Sequence, residues 1–128
     1  MIVRRMLIMV AGPYSADDTA RRRANLLRLQ QAALAVRERG HIPVIGENLG
    51  LPMVMDLAEP LAESATPDEA KEWIQQLTLD LAARCDAVLL LGSSPGADRE
   101  VRAVLDHGGQ LFTMVDEISP AGGDGKSG

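Results

Sequence analysis

Short apolar runs that stop at glycine recur along this chain, and they leave few folds open to it. Residues 6–11 (MLIMVA) end at Gly12-Pro13, residues 41–45 (HIPVI) at Gly46 and residues 87–91 (AVLLL) at Gly92, and a fourth run covers residues 111–115. Runs of this length, closed by turn residues, read as strands buried on both faces rather than as helices. Between them the apolar residues fall at helical spacing. Asp17 or Asp18 can cap a helix carrying Leu26, Leu29, Ala33 and Val36, which Gly40 stops. Thr66-Pro67-Asp68-Glu69 forms a capping box with proline at the first helical position, and Trp73, Ile74, Leu77 and Leu81 carry an apolar stripe from it to Cys85. A last helix is expected over residues 98–107. ENLGLPM, after Gly46, reads as a loop, and residues 54–65 admit a short helix interrupted by Pro60.

Strands alternating with helices imply parallel pairing through right-handed crossovers. The expectation is one α/β domain over residues 1–117, with an open, mainly parallel, Rossmann-like (flavodoxin-like) sheet of four to five strands and helices on both faces. The segment 118–128, ending PAGGDGKSG, is polar and glycine-rich and is expected to be disordered. Open sheets of this kind bind ligands beyond the carboxyl ends of their strands, where the strand order reverses. Residues 12–18, 46–53 and 92–100 are therefore the candidate site segments.

The 128 residues, 46% of them hydrophobic, suffice for a single core. A net charge of −5 lacks the basic face that a polyanion requires, so no nucleic-acid partner is expected. One cysteine, Cys85, cannot form an internal disulfide, which points to a cytoplasmic setting. No apolar run approaches the length of a bilayer span, so no membrane partner is expected. MIVRRMLIMVAGPY places two arginines before an apolar run, as a secretory signal does. That run is short and ends in Gly-Pro without a cleavage site, so it reads as the first strand. His41 and His107 stand apart in sequence without carboxylate or cysteine company, and no metal or other cofactor is expected.

The stretch GSSPGADREV (residues 92–101) carries the chemistry most open to argument. Glycine permits close backbone approach, and proline fixes the turn. Ser93 and Ser94 place hydroxyls beside the unpaired N–H groups that open the helix, which together suit an anion such as phosphate, and Gly96 and Ala97 count among the residues of that seat. Glu100 follows within about a turn, where the helix dipole favours the ionised form that a nucleophilic carboxylate needs. A solvated first-turn acid is the plainer account of the same residue.

AGPY at the end of the first strand, RCDAVLLL, and Ser94-x-Gly96-x-x-x-Glu100 followed by Ala103 and Gly108 resemble the nucleoside 2-deoxyribosyltransferase-like superfamily. The similarity is greatest to its small bacterial members of unassigned function and extends over residues 6–115. The resemblance implies cleavage of the N-glycosidic bond of a deoxynucleoside or its 5′-monophosphate through a covalent sugar–enzyme intermediate, without a cofactor. It assigns Glu100 as nucleophile, in a double displacement like that of retaining glycosidases. It assigns Asp86 to binding or protonating the leaving base, a task that calls for a raised pKa. Ser94, where transferases place an aspartate and monophosphate hydrolases a serine, points to a phosphorylated ligand. Gly12, Pro13, Tyr14 and Asn48 would complete the binding site, and a homodimer or larger assembly is implied, since relatives complete their pockets with a neighbouring subunit.

One position departs from the pattern. Active relatives have a tyrosine four residues before the glycine matched by Gly12, where this chain has Ile8. That favours a second reading, a nucleotide-binding or sensor module without efficient turnover. An NAD-dependent oxidoreductase is disfavoured, because AGPYSA replaces G-x-G-x-x-G, and no Walker loop is present. Of the remaining polar residues, Arg21, Arg22 and Arg23 read as a solvated face from which one arginine could grip a phosphate. Glu47 could read a sugar hydroxyl. Asp80 shares the stripe of Trp73 and would pair with Arg84 at i+4.

Overall fold

The computed structural model describes residues 2–14, 16–46 and 67–122. Asn48, Glu47 and the expected short helix within 54–65 lie outside the described residues. The elements run β1 (Leu7–Ala11), α1 (Thr19–Glu38), β2 (Ile42–Val44), α2 (Pro67–Ala82), β3 (Ala87–Leu90), α3 (Pro95–Asp106) and β4 (Gln110–Phe112), followed by a 3-10 turn at Val115–Glu117. The four strands pair in the order β2-β1-β3-β4, all parallel. This is the α/β architecture expected, an open sheet of the Rossmann or flavodoxin-like class.

Alternation along the strands divides the core into two layers. Ile8 and Val10 of β1 and Ala87 and Leu89 of β3 turn to one face, where Leu29 and Val36 of α1 and Ile118 cover them. Met9 and Ala11 of β1 and Val88 of β3 turn to the other face, against Ala82, Cys85, Ala97 and Val104. With both faces covered, β1 and β3 need no polar positions, which is why their sequences are continuous apolar runs. Asp18 is the residue that caps α1, its carboxylate accepting from Arg21 N–H at 2.7 Å.

Several expected boundaries and placements move, each for a local physical reason. α3 begins at Pro95 rather than Asp98, because Ser94 caps it and Pro95 occupies the first turn, where a missing N–H costs nothing. Glu100 therefore lies in the second turn. β4 stops at Phe112 rather than residue 115. The Glu117 carboxylate accepts the N–H groups of Thr113 (2.7 Å) and Met114 (3.2 Å), drawing the chain into a turn and holding that carboxyl below its ordinary range. On α2 the inward positions are Thr78 and Ala82, so Trp73, 45% exposed, is a surface residue. Asp80, about 200° around the helix from Thr78, is likewise exposed rather than on an apolar face. Arg84 donates to the backbone carbonyl of Asp80 at 3.3 Å.

The domain does not end at residue 117. Ile118 is fully buried, Ala121 forms a parallel bridge with Val3, and the Ala121 N–H donates to Arg39 O at 2.8 Å. Residues 118–122 are thus seated on the domain, where a disordered tail was expected; 123–128 lie outside the described residues.

Between α3 and β4 the backbone passes so close to its neighbours that a Cβ on Gly109 would lie 2.9 Å from both Asp86 O and Val104 O. Backbone carbonyls cannot swing aside as a side chain does. Gly109→Ala should lower the unfolding free energy by about 2 kcal/mol, within the range for overpacked sites; urea denaturation measures it, and an unchanged midpoint would contradict the close packing.

Candidate functional site

The strand order reverses between β1 and β3. The chain leaves β1 for β2 on one side, then returns to lay β3 on the other side. The loops following β1 and β3 consequently lie side by side at the carboxyl edge of the sheet, the position at which such sheets hold ligands. Their contact is tight. Leu91 N–H donates to Ala11 O at 2.8 Å, and a Cβ on Gly12 would lie 3.3 Å from Leu91 Cβ. A Cβ on Gly92 would lie 3.3 Å from Pro13. Gly12, Pro13 and Gly92 thus bring two backbones together where larger residues would hold them apart.

The first loop is fastened by the helix that follows it. Asn25 Nδ2 donates to Tyr14 O at 3.0 Å, and Arg22 Nη1 donates to Ala16 O at 2.7 Å. Of the three consecutive arginines, Arg22 is therefore a loop clamp. Arg21 lies 3.8 Å from the Asp18 carboxylate, and Arg23 is exposed. Beside this loop lies an open cleft of about 500 Å³ lined by Ala16, Asp17, Arg21, Ala24 and Asn25. Neither Ser94 nor Glu100 lines it.

At the second loop, Ser94 Oγ accepts the Ala97 N–H at 3.1 Å, a bond that does not use the hydroxyl's own proton. Ser93 Oγ donates to the Asp98 carboxylate at 2.8 and 2.9 Å to its two oxygens. One of the two hydroxyls expected to greet an anion is therefore already committed, and a negative charge sits in the same helical turn. Gly96 packs against α2, its missing Cβ lying 2.9 Å from Gln75 Oε1, and Ala97 is buried. The Ala97 backbone N–H is the one that Ser94 Oγ accepts.

Glu100 is 5% exposed, so it is not a solvated helix acid. It lies on the inward stripe of α3 between Ala97 and Val104, one turn to either side, in the layer that also contains Met9, Ala11, Val88 and Cys85. Six residues separate Ser94 from Glu100, which is about 9 Å along the helix axis. Ile8 belongs to the opposite layer, beneath α1. A side chain at position 8 faces away from Glu100, and the β1 side chains on its own face are Met9 and Ala11.

Asp86 stands elsewhere. It precedes β3 at the amino edge of the sheet, where its carboxylate accepts Leu7 N–H at 2.8 Å and pairs with Arg4 at 3.1 Å. Its own N–H and C=O bind Leu7 O and Gln110 N–H. The Leu7 hydrogen bond, ahead of the Arg4 contacts, holds the Asp86 carboxyl below its ordinary range. A general acid calls for the opposite shift; in this structure the Asp86 carboxylate ties the start of β3 to β1. Cys85, beside it, is buried, and burial above all pushes its thiol up to about 11, which leaves the sulfur protonated and unreactive.

Among the described residues no group of three or more His, Cys, Asp or Glu side chains is placed to hold a metal ion, and no helix is long and apolar enough to cross a membrane. No protein-family model matches this chain, and no curated protein matches it.

Asp86→Ala should cost about 1–2 kcal/mol of stability through the lost charged hydrogen bond. Because the folded pKa is lowered, the contribution of Asp86 is complete above its unfolded value of 3.8 and is lost as pH falls through the lower folded value. Asp86→Asn should therefore flatten the acid limb of the stability–pH curve. An acid limb identical to the wild type would remove Asp86 as its source.

Proposed function

We propose that this chain cleaves the N-glycosidic bond of a (deoxy)nucleoside 5′-monophosphate or related nucleotide, as an N-glycosidase or 2-deoxyribosyltransferase of the superfamily its motifs resemble. A Glu100 carboxylate oxygen bonds to the anomeric carbon as the carbon–nitrogen bond breaks. The base departs with the bonding pair and takes a proton from solvent, since Asp86 is spent at the far edge of the sheet. Water or a second base then bonds to the same carbon and gives up a proton to solvent as the carboxylate leaves, restoring ionised Glu100. Ser94, through its hydroxyl, and the Gly96 N–H at the start of α3 would receive the phosphate, with Gly12, Pro13 and Tyr14 walling the sugar. The observation that carries this reading is the burial of Glu100 on the helix that leaves the strand-order reversal.

A second reading is favoured by the commitment of Ser93 to Asp98 and by Ile8 at the tyrosine position: a nucleotide-binding or sensor module that does not turn over. A homodimer or larger assembly in the cytoplasm belongs to both readings, and the exposed Trp73 offers it a contact.

Incubation with a panel of deoxynucleotides, followed by chromatography for free base, separates the two. Glu100→Gln should abolish base release while leaving binding within about twofold, because only the bond-forming oxygen is lost; equal turnover in the variant would exclude the nucleophile. Ser94→Ala should weaken a monophosphate more than its nucleoside by about 1 kcal/mol. Loss of the cap lowers stability for both ligands alike, so unchanged discrimination would take Ser94 out of the phosphate seat.

A further inference from the structure

His41 is fully buried, and the proposed chemistry has no use for it. Its ring joins two parts of the chain that are distant in sequence. Nδ1 accepts Met6 N–H at 3.1 Å, and Nε2 lies 2.7 Å from Ser119 O. A carbonyl only accepts and a backbone N–H only donates, so the two contacts together fix one neutral tautomer, with its proton on Nε2. A second proton would have to enter on Nδ1, directly facing the Met6 N–H. It would break that hydrogen bond and bury a charge.

Among the described residues, the surroundings offer that charge no carboxylate that is not already engaged or exposed. On the segment before β1, Arg5 Nε donates to Gly40 O at 3.0 Å. At the end of α1, Arg37 and Glu38 are exposed, and Arg39 donates to Ile118 O at 2.9 Å while its other nitrogen lies 3.3 Å from Asp116. In the 3-10 turn, Asp116 is thus engaged by Arg39, and Glu117 by the Thr113 and Met114 N–H groups. Both hydrogen bonds of the ring go to backbone atoms.

The segment that His41 holds is otherwise attached by a few bonds. Val3 N–H donates to Pro120 O at 3.0 Å, Ala121 N–H to Arg39 O at 2.8 Å, and Gly122 N–H to Val3 O. Its one deeply buried apolar anchor is Ile118. The four-stranded ladder does not pass through it. We propose that His41 is a proton-operated latch: the neutral ring fastens residues 118–122 across the start of β1 and the end of α1, and protonation of the ring releases that segment while the sheet stays folded. Histidine is the side chain whose charge changes nearest neutrality, which makes it the natural part for such a device.

Amide hydrogen exchange on the intact chain, corrected for intrinsic rates and read alongside the ring nitrogen shifts of His41, tests the latch. On acidification the Val3, Ala121 and Gly122 amides should lose protection in step with ring protonation by roughly tenfold, the equivalent of one hydrogen bond. The Leu91 amide, bonded to Ala11 O within the sheet region, should hold. His41→Gln can still donate near Ser119 O, and His41→Asn can still accept from Met6 N–H, but neither titrates, so both should abolish the acid response. Three results would overturn the proposal: an Nδ1–H tautomer in the neutral ring, tail protection that is indifferent to ring protonation, or the same acid response in His41→Gln. Should neither variant fold, the tautomer and the wild-type exchange profile decide alone.

Discussion

Pairing of β1 with a neighbour on each side is the constraint from which the rest of this molecule follows. Leu7, Ile8 and Met9 pair with β2, and Ile8 to Ala11 pair with β3, so this strand has ladder partners on both edges and a packed layer on each face. A segment so enclosed cannot carry polar side chains, and every buried backbone group must find its partner in the ladder. The register then dictates the carboxyl edge. Because Ala11 lies opposite Leu90, the two exits leave the sheet side by side, and a Cβ on Gly12 or Gly92 would crowd the neighbouring loop.

Charge is sorted along the sheet axis in the same way. Asp86 gathers the amino edge, binding Leu7 N–H and Arg4 and joining β4 to β1 through its own backbone. Glu100 and Asp98 lie on the helix leaving the carboxyl edge, one turned into a core layer and the other outward to Ser93. Two carboxylates fourteen residues apart in sequence thus have different work. One ties strands together, whereas the other is packed within a core layer on α3.

What could be read in the sequence was what is local. Caps and turn residues at Asp18, Pro67 and Gly12 act on neighbours a few positions away, and alternation within β1 and β3 reflects two covered faces. The layered sheet followed from these. Misplaced features depended on residues far along the chain. Asp86 looks like a loop acid until Leu7 is brought to it, and the tail looks disordered until Val3, Arg39 and His41 are beneath it. Glu117 shortens β4 through a carboxylate-to-backbone clasp that no hydropathy pattern reports. The burial of Glu100 is the intermediate case. With the helix expected to open at Asp98, Glu100 read as a solvated first-turn acid; the start at Pro95 puts it in the second turn, on one stripe with Ala97 and Val104.

The bridge between Val3 and Ala121 gives the chain an order of events at the ribosome. β1 is made first but lacks one of its ladder partners until β3 emerges, and Val3 waits longer still, until residue 121 has cleared the exit tunnel. Until then the nascent chain presents an apolar ribbon with one edge unzipped, and the hollow awaiting Ile118 stands open. Closure is therefore a late, long-range event, and cleavage of the chain ahead of Ile118 would return the finished protein to that unsealed condition.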